Sequence, residues 1–144
     1  MATTQSRRDV ASRISQAFVD AYNTGEVDRI DDFVTDDFVC HHTAAAVEIN
    51  GADEYKERIH ELRAGFSDFE MSEEFLVVDG DMGAGHYRWG GTHDGGFMGM
   101  PATDRTVDTT NATLMRMDGD RMAEMWVYGN NGEVMEQLGI ERPN

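Results

Sequence analysis

One cysteine, Cys40, one lysine, Lys56, and two prolines are all that the 144 residues contain of these three types. A lone thiol cannot form an internal disulfide, so the fold rests on its core and a reducing compartment is expected. Only 12 residues are basic against 28 acidic ones, a formal net charge of −16. So few cations cannot assemble the basic patch that a phosphate backbone requires, and nucleic acid is excluded as a partner. No apolar run approaches the roughly 20 residues that span a bilayer. The opening MATTQSRRDVAS has no apolar segment of the secretory kind. A soluble, cytoplasmic protein with no membrane partner is expected.

The quality of the charge is as informative as its sum. Every basic residue except Lys56 is arginine, and aspartate is the commonest acid. Such a surface suits molar intracellular salt, where a screening length of about 3 Å removes the self-repulsion. The reading is an acidic protein of halophilic type.

A chain of 144 residues reads as a single domain, 1–144, able to bury about two-thirds of its unfolded surface without metal or disulfide. Val10, Ile14, Ala17, Phe18, Ala21 and Tyr22 recur at helical spacing and stop at Asn23-Thr24-Gly25, where glycine ends a helix. Glu26 to Phe33 predicts a short second helix, Phe38 to His42 a short strand, and Gly51 to Phe66 a third helix with Tyr55, Ile59, Leu62 and Phe66 inward. The period then changes to two. Strands are predicted at Glu70 to Asp79, Met82 to His93, Thr106 to Met117 and Met122 to Tyr128. Helices followed by a meander of strands indicate the α+β class.

Between the second and third of these strands lies Gly91 to Arg105, GTHDGGFMGMPATDR, too rich in Gly, Pro and Met for a helix or a simple hairpin turn. With Asp118-Gly119 and Gln137-Leu138-Gly139 downstream, it resembles the SnoaL-like polyketide cyclases, or ester cyclases, which carry GTHxGxFxGxPPTxR, DG and QLG in this order. The front, FVDAYNTGEVDRIDDFVTDDFV, is similar to that family's first helix, NTG turn and short second helix. The resemblance implies a cone: a curved antiparallel sheet wrapped around the N-terminal helices, as in ketosteroid isomerases and nuclear transport factor 2. It also implies a homodimer, formed through the outer sheet face that carries Trp126.

Function in a cone resides in its cavity. In the strand from Thr106, Val107, Thr109, Asn111, Thr113, Met115 and Met117 share one face, but both faces are partly apolar, so alternation alone leaves the inner one open. The resemblance places the family's cavity Gln and His on Asn111 and Thr113, and its catalytic aspartate on Val127 or one residue away. A W-x-x-x-D pattern of many relatives reads here Trp126-Val127-Tyr128-Gly129-Asn130. Valine, threonine and asparagine cannot hold and release a proton near neutrality. That leaves the histidines as catalytic candidates. His42, the inward member of the His41-His42 pair, is expected at the cone mouth with a near-neutral pKa. His93 is a pocket residue or an anchor of its loop. His60 and His86 read as surface groups. Adjacent strand residues face opposite ways, so His41 and His42 do not share one ion, and neither metal nor cofactor is expected.

Phe18, Tyr22 and Met98, with Met100, could line an apolar site for a ring-shaped or acyl ligand; the same spacings also suit plain core. Two readings follow. One is an enzyme acting on a small hydrophobic carbonyl compound or ester, with His42 as base and Asn111 and Asn130 orienting the ligand. The other is a non-catalytic binding or assembly module that keeps the cone without its acid.

Overall fold

The computed structural model describes residues 4–43, 47–97 and 99–140. Helix α1 spans Thr4–Thr24, a 3-10 turn Asp28–Asp32, strand β1 Val34–His42, strand β2 Val47–Asn50 and helix α2 Gly51–Gly65. Strands β3 Glu70–Asp79, β4 Met82–Thr92, β5 Thr106–Asp118 and β6 Arg121–Gly129 follow, and helix α3 Asn131–Gln137 closes the fold. No helix among the described residues is long and apolar enough to cross a membrane.

The strands form one 6-stranded sheet in the order β2-β1-β6-β5-β4-β3. All neighbours are antiparallel except β1 and β6, which run parallel with His42 opposite Val127. Register shifts in β1, β3 and at the β5–β6 pairing mark irregularities of the kind that bend a sheet. On the inner face α1 buries Val10, Ala11, Ile14, Ala17, Phe18 and Ala21, and α2 buries Tyr55, Ile59 and Leu62. This is the cone.

Polar clamps fix the helices on the sheet. Arg63 of α2 donates to the carbonyls of Tyr22 and Asn23 at 2.8 and 3.0 Å, placing a cation on the exposed carbonyl end of α1. Gly25 ends α1 with φ 78°, and a Cβ there would lie 2.9 Å from Arg63 Nε. Asn23 grips β3 as a strand would: its amide donates to the Met71 carbonyl at 2.9 Å and accepts from the Met71 N–H at 2.7 Å.

The Gly-rich connection is laced to the end of α2. The Asp94 and Gly95 amides both donate to the Gly65 carbonyl at 3.1 Å, and Phe97 and Met100 exchange backbone hydrogen bonds at 3.0 and 2.9 Å. A Cβ at Gly95 would fall 2.0 Å from the Ala64 carbonyl oxygen. Only glycine permits this approach.

Two expectations are corrected. The second predicted helix is a 3-10 turn, Asp28–Asp32, and the strand expected from Phe38 begins earlier, at Val34. Strand β2 and helix α3 had no counterpart in the sequence reading.

Candidate functional site

A cavity of about 110 Å³ lies between the helices and the inner sheet face, several-fold more than the roughly 10–15 Å³ that one water needs. Phe18 and Tyr22 on α1, Tyr55 and Arg58 on α2, His42 on β1, Tyr87 and Trp89 on β4 and Val127 on β6 contribute to its wall. The inner face of β5 supplies Thr109, Asn111, Thr113 and Met115, which settles the face that alternation left open. Among the described residues no aspartate or glutamate lines the cavity.

His42 is half-buried in this wall, opposite Val127. Burial, and then the positive charge of Arg58, lower its pKa from 6.5 to about 4. The near-neutral value expected from sequence is thereby corrected: at pH 7 the ring is a neutral imidazole. As a base it stands where an ordinary aspartate does. Among the described residues its buried Nδ1 has no hydrogen-bond partner, nor has Thr109 Oγ1. Its neighbour His41 faces the other way, bonded to Glu124 at 2.7 Å, 3.2 Å from Glu48, and stacked on Trp126 with ring centroids 5.6 Å apart.

Two tyrosine arrangements face the ligand space. Tyr22 and Tyr55 bring their hydroxyls to 2.7 Å. Burial pushes the Tyr22 pKa up to about 12 and raises that of Tyr55 as well, so both phenols stay protonated. Two O–H groups share one hydrogen bond, leaving one proton to donate to a ligand. Ser15 donates to Glu73 at 2.5 Å and therefore accepts from the Tyr87 hydroxyl, 2.6 Å away. This oriented chain carries hydrogen bonding from the cavity wall to a carboxylate on β3. Glycine at 85 makes room for it, since a Cβ there would meet the Tyr87 ring and hydroxyl at 2.6 Å.

The remaining predicted residues fall as follows. Phe18, Tyr22, Asn111, Thr113, Val127 and Asn130 all line the cavity. Asn111 accepts from the Thr113 hydroxyl at 3.2 Å. Asn130 caps α3, accepting from the Glu133 N–H at 3.2 Å. Trp126 and Tyr128, to either side of Val127, are absent from the cavity wall. His93 is fully buried away from the cavity, against Phe66 and Phe97, with Nδ1 3.0 Å from the Thr103 hydroxyl. There it holds the Gly-rich connection. Met98 lies outside the described residues. The sequence reading placed Tyr55 inward without a role at the site, and it missed Arg58 and the Tyr87–Ser15–Glu73 chain. Only the first two left a signal, since 55, 58 and 62 share one face of a helix.

A family model for SnoaL-like polyketide cyclase matches residues 12–138. The nogalonic acid methyl ester cyclase of Streptomyces nogalater is 26% identical over 127 residues, spanning 88% of this chain and 95% of that protein. Among solved structures, TsrD from Streptomyces laurentii superposes with a TM-score of 0.83 at 22% identity, covering 93% of this chain and 98% of its own. A candidate SnoaL-like cyclase from Jannaschia sp. CCS1 gives 0.82 at 21% identity, covering 93% and 94%. The structural likenesses carry the fold. The match from 12 to 138, over a cavity-bearing cone with the connection, DG and QLG elements in place, carries the family: this chain belongs to the SnoaL-like polyketide cyclases.

Proposed function

We propose that the cavity takes up a small hydrophobic carbonyl compound or ester and moves a proton at the carbon beside its carbonyl, with His42 as the base. The carrying observation is a neutral imidazole, with a pKa of about 4, in a wall to which the described residues contribute no carboxylate. Removing such a proton puts negative charge on the carbonyl oxygen. The spare O–H of the Tyr22–Tyr55 pair is a suitable donor for that oxygen, held in an apolar setting where donation counts for more. Asn111, Thr113 and Asn130 then orient the ligand by amide and hydroxyl contacts. In this reading Val127 occupies the position of the family's aspartate, and the base has moved to the opposed residue on the neighbouring strand.

Deuterium exchange tests it. α-Tetralone, a bicyclic aryl ketone, is followed by NMR in D2O with and without the protein. Exchange should be accelerated and should fall about 10²- to 10⁴-fold in His42→Asn. Binding without acceleration would leave the non-catalytic binding module standing in its place.

We further propose that two copies pair through the outer sheet face around His41 and Trp126, where Phe75, Val77, Met82 and Tyr128 are also exposed.

A further inference from the structure

Arg58 lines both the cavity and the groove beside it formed by Glu61, Ala64, Gly96, Phe97, Gly99, Met100 and Pro101. Among the described residues it is the one Asp, Glu, Lys or Arg that lines the cavity. Its neighbours on α2 are satisfied: Lys56 pairs with Asp31 at 2.7 Å, and Arg63 donates to two carbonyls of α1. Arg58 makes no hydrogen bond or ion pair among the described residues, although Glu61 lies one turn on and the chain holds 28 acidic residues. A half-buried cation beside Tyr22, Tyr55 and Leu62 loses part of its hydration and regains no hydrogen bond from the described residues. Its planar fork is shaped to take a carboxylate through two parallel hydrogen bonds.

We infer that the ligand of this cavity is a hydrophobic carboxylic acid bound as the carboxylate, its charge met by the Arg58 guanidinium at the mouth and its apolar body by the Phe18, Tyr22 and Trp89 walls. The inference rests on the cavity being the ligand site, as proposed above, and adds the ligand's charge. In dilute buffer a net charge of −16 disfavours an approaching anion, so an arginine without an ion pair among the described residues, beside an apolar cavity, is a favoured point for one to bind. The guanidinium already acts on the site: it helps lower the His42 pKa and counters the effect of burial on Tyr22 and Tyr55. A carboxylate seated on Arg58 cancels that charge and returns basicity to His42 when the ligand is in place.

The test compares 2-naphthoate with its uncharged methyl ester by calorimetry, and follows the His42 ring titration by NMR. The acid should bind at least about tenfold tighter than the ester. Arg58→Gln should remove that preference, Arg58→Lys should keep part of it, and the His42 midpoint in the unmodified protein should rise on adding naphthoate but not the ester. Equal affinity for acid and ester, or a preference that survives Arg58→Gln, overturns the carboxylate assignment and leaves the cavity reading intact. Failure of both compounds to bind overturns the two together.

Discussion

Tyr22 of the first helix and Tyr55 of the second hold their hydroxyls 2.7 Å apart inside the cone, with their rings edge to face at 6.2 Å. The contact joins two helices across an apolar space and leaves one O–H undonated. Removing either partner strands the other hydroxyl in that space. Tyr22→Phe and Tyr55→Phe should each cost about 1–3 kcal/mol, while the double variant should cost less than their sum. Urea melts of the four proteins read this out, and strict additivity would show that the pair is not coupled.

His42 makes stability depend on acid in a defined window. Its folded pKa, about 4, lies below the ordinary 6.5 because of burial and the Arg58 charge. Above 6.5 both folded and unfolded chains leave the ring neutral, and it contributes no pH dependence. As pH falls from there towards 4, the unfolded chain takes up a proton that the folded one refuses, so stability falls. The loss reaches at most about 3 kcal/mol. His42→Asn should show a shallower decline than the unmodified protein between pH 6.5 and 4. Parallel declines would place the imidazole in a more solvated setting.

Much of the cone was legible, and the reasons are local. The strands β3 to β6 are each nine residues or longer and set off by glycine-bearing turns, and their predicted bounds lie within a residue of those observed. Strand β2 has four residues, three of them exposed, and so shows no period at all. Helix α3 has seven, started by the Asn130 cap rather than by an apolar stripe. At the site, His42 could be separated from His41 because neighbours on a strand face opposite ways. His93 could not be placed, because it lies just past the end of β4, where the chain turns under Phe66 and strand parity no longer applies. Glu73, Ser15 and Tyr87 meet only in three dimensions, with separations of 58 and 72 residues.

The outer face yields a prediction about assembly. His41 lies between Glu48 and Glu124 and stacks on Trp126, so a preformed ring pair is presented beside exposed Tyr128. Light scattering should give the mass of two chains, and Trp126→Asp should give the mass of one with little change in the cavity. A monomeric mass for the unmodified protein across a wide concentration range would exclude pairing.

Salt should stabilise the fold. Several observed ion pairs, such as Arg88 with Asp108 at 2.6 Å, are largely exposed and contribute little each, while a net charge of −16 repels itself throughout. Screening removes the repulsion faster than it weakens the few pairs. The melting temperature should therefore rise between about 0.1 M and 2 M KCl. A flat or falling curve would count against the halophilic reading.

Val127 supplies the sharpest test of where the base sits. It lines the cavity directly opposite His42 on β1 and Thr113 on β5, while its chain neighbours Trp126 and Tyr128 do not. An acid introduced by Val127→Asp enters an apolar wall, and desolvation should lift its pKa above the ordinary aspartate value. It would reach the same ligand space as the imidazole. His42→Asn alone should therefore lose α-proton exchange, and His42→Asn with Val127→Asp should recover a large part of it, with an acid limb set by the new carboxyl rather than by a histidine. The introduced charge should also destabilise the fold measurably, less so where the carboxyl is protonated. If the double variant folds, binds α-tetralone and still exchanges no faster than His42→Asn, the two positions do not serve one reacting carbon. The assignment of Val127 to the aspartate's place would then be withdrawn.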